Sequence, residues 1–151
     1  MNFRKAEEKD ISILVELRKR QLLDEGSKEE NNIDGELERF FRDGLANGNL
    51  LVWLACENAV SEQIIATAGL CFFQYPPSFT NHTGKIAYIT NVYTKPEFRR
   101  KGIAAKLLEL VLKEAENKGC RLARLHASEQ GRKLYEKFGF TDAQGFMSRK
   151  L

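Results

Sequence analysis

Ile11, Leu14, Val15 and Leu22 recur at helical spacing behind Asp10, a residue suited to a helix start, and Gly26 stands where that helix would end. Leu37, Phe40, Phe41 and Leu45 repeat the spacing and predict a second helix from about Asp34 to Ala46, closed by the turn residues Asn47-Gly48-Asn49. The pattern then changes. Leu50 to Cys56 is a short unbroken apolar run, Gln63 to Phe73 a longer one, and Ala87 to Thr94 is rich in β-branched and aromatic residues. All three read as strands, and the short connection between the first two makes them antiparallel neighbours. Tyr75-Pro76-Pro77-Ser78 breaks the pattern, and Ser78 to Lys85 reads as a loop. Ile103, Leu107, Leu110, Val111 and Ala115 predict a third amphipathic helix, stopped by Gly119. A short first strand at Asn2 to Ala6, a strand at Arg121 to Ala127 parallel to the Ala87 strand, a helix at Glu129 to Phe138 ended by Gly139, and a final strand within Thr141 to Leu151 complete the order. Mixed strands and helices without repeats or a linker predict one α/β domain over residues 1–151, a mixed sheet flanked by helices.

Composition narrows the class. No window holds eighteen consecutive apolar residues, so no membrane span is expected, and Met1-Asn2-Phe3-Arg4-Lys5 does not open a signal segment. Cys56, Cys71 and Cys120 form no Cys-x-x-Cys pair and are odd in number. They read as apolar residues in a reducing compartment, which points to the cytoplasm and to no metal site. The Asn81-His82-Thr83 sequon is then accidental. The net charge of +3 is too small to imply nucleic acid, and no motif that reads RNA or DNA is present. The charge is unevenly spread. Gln21 to Gly48 carries eight acids against three bases, whereas Lys95 to Leu151 carries fourteen bases against seven acids.

The basic half contains the first chemical signal. A strand ending at Thr94 is followed by Lys95-Pro96-Glu97-Phe98, then by Arg99-Arg100-Lys101-Gly102-Ile103-Ala104, then by the helix. The first N–H groups of a helix have no internal partner and sit at the positive end of its dipole, where a phosphate can accept several of them. Gly102 and Ala104 keep the approach to the backbone open, and Arg99, Arg100 and Lys101 add formal charge. Read alone, this is either an anion cradle or an ordinary basic turn. Its pattern, Arg99-x-x-Gly102-x-Ala104 after a hydrophobic strand and a Pro-Glu-aromatic segment, resembles the pyrophosphate-binding motif of the GNAT superfamily of acetyl-CoA-dependent N-acetyltransferases.

A second block supports the resemblance. Leu134-Tyr135-Glu136-Lys137-Phe138-Gly139-Phe140 matches the family's Leu-Tyr-Glu-Lys-x-Gly-Phe in full. Upstream, Ser128 replaces the usual Asn and Gly131 the usual Ala. Ser128 can still cap the helix but cannot make the same amide contact to CoA, and Gly131 weakens the helix by about 1 kcal/mol.

The resemblance implies a GNAT-like domain, with a mostly antiparallel sheet whose parallel strand pair splays apart to admit the pantetheine arm. It implies acetyl-CoA as donor, bound by Val92, Tyr93, Thr94, Arg99, Arg100, Lys101, Gly102, Ile103, Ala104 and Ser128. It implies Tyr135 as the acid that protonates the leaving thiolate; a core aromatic is the other reading of that residue. The general base is left open. His126 stands beside the expected cleft, Glu57 has only its carboxylate to recommend it, and direct loss of the amine proton to water needs no residue. Asn91 and Tyr93 are candidates for orienting substrate, and His82 has no partner.

The expected activity is direct acetyl transfer to a primary amine. The acidic segment favours a small cationic amine, provided some of Glu29, Glu30, Asp34 and Glu38 line the cleft. The alternatives are a protein amine as acceptor, another acyl-CoA as donor, or an idle acyl-CoA-binding sensor. No nucleic-acid or membrane partner is expected, and a homodimer would be in keeping with the family.

Overall fold

The computed structural model describes residues 1–60, 62–143 and 145–151. Five strands form one sheet in the order β1-β2-β3-β4-β5: β1 (Asn2–Lys5), β2 (Leu50–Cys56), β3 (Ile64–Gln74), β4 (Lys85–Thr94) and β5 (Ala123–Arg124). Neighbours among the first four are antiparallel, and β5 lies parallel to β4. Four helices cover the sheet: α1 (Ile11–Asp24), α2 (Asp34–Asn47), α3 (Ile103–Asn117) and α4 (Glu129–Lys137).

Both faces of the sheet are buried, which is why β2 and β3 read as apolar runs and not as alternations. On one face Ala55, Ala68, Leu70, Ala87 and Ile89 pack against Ile103, Leu107, Leu108, Val111 and Ala115 of α3, with Tyr135 of α4. On the other, Leu50, Val52, Leu54 and Tyr93 pack against Ile11, Leu14, Val15 and Leu17 of α1 and Phe41 of α2.

The helical stripes are rotated from those expected. Leu17 and Gln21 are buried on α1 where Leu22 was expected, and Leu108 is buried on α3 where Leu110 was expected. On α2 only Phe41 is fully buried; Leu37 and Leu45 are half-buried and Phe40 is exposed. Asp10 does not cap α1 with its side chain. It sits in a 3-10 turn, Glu8–Asp10, and accepts both Arg4 nitrogens at 2.7 and 2.8 Å and the Glu7 N–H at 2.8 Å. Burial alone would raise the Asp10 pKa, but these bonds hold it below the usual carboxylate value. That bond set ties β1 to the start of α1.

Two strand expectations fail. The predicted strand at Arg121–Ala127 contracts to two residues, pairing Ala87 with Ala123 and Tyr88 with Arg124. A bulge in β4 supplies the reason. The β3–β4 register shifts between Thr67 and Gly69, and Asn91 takes a φ of 52°. A bulge adds twist and bends its strand, while Leu125, Leu134 and Tyr135 hold the following chain to the α3 core. The two strands therefore part after Tyr88, as the resemblance implied. The expected final strand is absent among the described residues after Thr141. Phe146 and Met147 there are exposed, and a two-residue β5 offers almost no ladder to pair with.

Candidate functional site

The parting of β4 and β5 opens a cleft of about 1270 Å³. Val92, Tyr93 and Thr94 form one wall, and His126, Ala127 and Ser128 form the facing one. The start of α3 lies at one end, and Tyr135 on α4 and the C-terminal end of α1 face the interior.

The α3 end is open to an anion. Lys106 is the first residue to donate within the helix, to the Gly102 carbonyl at 3.1 Å, and no side chain caps the N-terminus. The N–H groups of Ile103, Ala104 and Ala105 therefore point out of the helix, and all three residues line the cleft. Arg100 and Gly102 adopt left-handed backbone at φ 62° and 77°, and a Cβ on Gly102 would project into open space. That turn swings the chain from the 3-10 segment Pro96–Phe98 into α3. The cradle, the basic residues Arg100, Lys133 and Lys137 on its walls, and the unpaired β4 edge suit a long ligand with a phosphate end.

Arg99 is placed differently from a free phosphate ligand. Its Nε donates to the Thr94 carbonyl at 2.9 Å, its Nη2 pairs with Asp24 at 2.6 Å, and its guanidinium lies 5.7 Å from the Tyr93 ring centroid. It fastens the motif turn to α1 across the cleft. Lys101 does not line the cleft; its ammonium lies over the Phe98 ring at 5.1 Å. The other expected cofactor residues, Val92, Tyr93, Thr94, Arg99, Arg100, Gly102, Ile103, Ala104 and Ser128, all line it.

Tyr135 is buried, yet it reaches the cleft. Burial, then the charge of Glu25, pushes its phenol up to about 12, so it stays protonated across the physiological range. Phe140 contacts the ring edge-on at 6.1 Å. Ser128 caps α4 by accepting the Gly131 N–H at 3.2 Å, as its sequence position suggests.

Gly131 is explained by the same ring. A Cβ there would lie 2.7 Å from Tyr135 Cε2 and 3.2 Å from Cζ. Gly131→Ala restores about 1 kcal/mol of helix propensity but must displace the phenol. We expect kcat to fall ~10-fold, since an ångström of misplacement can cost up to 100-fold. The melting temperature should barely change. Steady-state kinetics beside a thermal melt checks this, and unaltered kcat would show that the ring tolerates the methyl.

Among the base candidates, His126 is exposed and lines the cleft, with its ring 6.0 Å from that of Tyr88. Glu57 lies in the β2–β3 connection, outside the cleft lining. Asn91 is buried at the bulge, its Nδ2 without a hydrogen-bond partner among the described residues, while its carbonyl accepts Thr67 Oγ1 at 2.7 Å. His82 is also outside the lining.

The expected acidic wall is corrected. None of Glu29, Glu30, Asp34 and Glu38 lines the cleft, and Lys19 pairs with Asp34 at 2.9 Å and Glu29 at 3.9 Å. From that acidic segment the carboxylates that do face the cleft are Asp24 and Glu25, beside the buried Gln21, and Glu129 of α4 lines it as well. A polar Gln21 in line with the apolar stripe of α1 was the signal that could have found them.

Comparison with known proteins agrees with this architecture. The model of the acetyltransferase (GNAT) family matches residues 13–140. A predicted acetyltransferase from Clostridium acetobutylicum, solved with acetyl-CoA, superposes with a TM-score of 0.94 at 46% identity, covering 99% of this chain and 95% of that one. The thialysine N-epsilon-acetyltransferase of Sus scrofa is 36% identical over 86 residues, covering 53% of this chain and 48% of its own length. The chain thus spans about half the length of that curated relative. Glucosamine 6-phosphate N-acetyltransferase of Arabidopsis thaliana is 27% identical over 116 residues, covering 77% of this chain and 76% of its own length. With both motif blocks on one cleft and the family model spanning most of the sequence, the chain belongs to the GNAT acetyltransferase family.

Proposed function

We propose that this protein transfers an acetyl group from acetyl-CoA to a primary amine by direct attack. The observation that carries the reading is the meeting of the open α3 N-terminus and the protonated Tyr135 on one cleft. The acetyl-CoA-bound relative supports the donor, and the thialysine and glucosamine 6-phosphate relatives support an amine acceptor.

Bound acetyl-CoA supplies an activated thioester. The N–H groups of Ile103, Ala104 and Ala105, with Gly102 leaving room, hold its pyrophosphate, and Arg100 and Lys101 add positive potential at that end. The backbone of Val92, Tyr93 and Thr94 offers hydrogen bonds along the edge that β5 leaves unpaired. An N–H of that edge, turned by the Asn91 bulge, stabilises negative charge on the carbonyl oxygen. Tyr135 gives its proton to the departing sulfur. Arg99 works as a positioning residue, holding α1 against the motif turn.

Released thiol, measured with acetyl-CoA and a panel of primary amines, tests the reading. We expect amine-dependent release. If acetyl-CoA binds but no amine accelerates release above hydrolysis, the protein is an acyl-CoA sensor. The phosphate cradle has its own check. Gly102→Val forces a β-branched residue into left-handed backbone, at a cost of about 1–2 kcal/mol, and adds bulk at a position that lines the cleft. We expect acetyl-CoA affinity by calorimetry to fall ~10-fold. Equal affinities would remove the cradle.

A further inference from the structure

Three features stay unused by the donor: Glu25 lines the cleft, while Arg18 and the Phe73–Tyr88 ring pair lie outside its lining. Glu25 stands near Tyr135, and among the described residues it forms no ion pair; its one side-chain bond is from Gln21 Nε2 at 3.1 Å. Asp24, by contrast, is neutralised by Arg99. Arg18, two helical turns earlier on the same side of α1, likewise forms no ion pair among the described residues. Its Nη1 donates to Gln21 Oε1 at 3.1 Å. The buried Gln21 amide thus orders a guanidinium and a carboxylate in one row, seven positions or about 10 Å of axial rise apart.

Tyr88, within reach of the charges of that row, belongs to a run of rings that ends at the cleft. Phe73 of β3 meets Tyr88 of β4 edge-on at 5.6 Å, and Tyr88 meets His126 at 6.0 Å. His126 borders the cleft, and Tyr88 feels the charges of both Arg18 and Glu25. An apolar run with an anion at its reactive end and a cation at the other fits a chain of methylenes with opposite charges at its termini.

We propose that the acceptor is a zwitterion, an amine joined by an aliphatic spacer to a carboxylate, whose ammonium docks on Glu25 and whose carboxylate docks on Arg18. This rests on the acetyltransferase reading. Glu25 accepts a proton from the ammonium, leaving a neutral amine. The amine nitrogen bonds to the thioester carbonyl carbon as the carbon–sulfur bond breaks, and the Tyr135 hydroxyl proton goes to sulfur. The proton remaining on the new amide nitrogen returns to the Tyr135 oxygen, and Glu25 releases its own to solvent. The products are the N-acetyl compound, free thiol and one proton. A second ammonium at the far end of the row would meet the Arg18 guanidinium, so a dicationic amine gains nothing there.

The test compares ε-aminocaproate, n-hexylamine and hexamethylenediamine, which share a six-carbon chain and differ in the far group. Thiol release with acetyl-CoA gives kcat/KM, and calorimetry on the CoA-loaded protein gives binding without turnover. We expect ε-aminocaproate to lead both other amines by ~10-fold, the scale of one hydrogen-bonded charge. Arg18→Met should bring that ratio near one in turnover and in binding. Glu25→Gln should raise KM for all three, with acetyl-CoA affinity retained. Acetylation of all three amines without a zwitterion advantage, or with an advantage that survives Arg18→Met, overturns this proposal and leaves the acetyltransferase reading standing. Arg18-dependent binding of ε-aminocaproate without acetylation keeps the ligand and overturns the enzyme. If ε-aminocaproate is neither bound nor acetylated, the zwitterion proposal is overturned.

Discussion

Tyr135→Phe should lower kcat by ~10²-fold or more while acetyl-CoA affinity stays close to wild type. The substitution removes the hydroxyl alone. The ring keeps its place in the α3-side core and its edge contact with Phe140. The pH profile adds a second check. Burial and then Glu25 push the phenol up to about 12, so the acid form is retained well above the ordinary tyrosine range. Loss of the acid should therefore depress wild-type activity only as pH rises toward 12. The same shift has a stability consequence. The raised pKa favours the fold below the unfolded tyrosine value near 10, and that contribution is lost as pH climbs through 10 toward 12. Steady-state rates of both proteins across alkaline pH read out the first effect. An unchanged kcat in Tyr135→Phe would make the residue a packing aromatic, and the leaving thiolate would then depart without it.

Phe41→Ala should cost about 3–5 kcal/mol of stability, the range for a deleted core aromatic. Phe41 is the one fully buried residue of α2 and shares a core with Leu14, Leu17, Leu54 and Tyr93. Its loss removes the anchor of α2 on the sheet and leaves a cavity beneath α1, the helix that carries Gln21, Asp24 and the Arg18 row. Phe40→Ala, one residue away and 45% exposed, should cost under 1 kcal/mol by comparison. Chemical denaturation of the two variants checks the contrast. Equal costs would mean that α2 is held by its partly buried positions as much as by Phe41. If α2 supports the acceptor wall alone, Phe41→Ala below its melting point should weaken amine binding more than acetyl-CoA binding.

What the residues determined by themselves was local. β-branched and apolar runs marked β2, β3 and β4, and the stop at Pro96 with the open turn at Gly102 marked a helix start open to an anion. These signals need only neighbours in sequence, because strand propensity, caps and missing N–H partners act within a few residues. The block from Leu134 to Phe140 pointed at Tyr135, which does line the cleft. The cleft itself was decided by contacts far apart in the chain. β4 bends at Asn91 because its register against β3 slips by one residue, and β5 ends after Arg124 because Leu125 and Tyr135 are held by α3. No stretch of ten residues contains that conflict.

The same division explains the acidic segment. Counting charges from Gln21 to Gly48 cannot say which carboxylates turn inward, since one residue along a helix is a rotation of about 100°. Leu17 and Gln21 packed inward where Leu22 was expected, which set the α1 stripe, and Asp24 and Glu25 came to the cleft while Glu29 and Asp34 met Lys19 outside it. Arg99 shows the limit most plainly. Its place in the motif suggested a phosphate, and it does line the cleft, but that tertiary structure also sets Asp24 2.6 Å away could not be read from the motif.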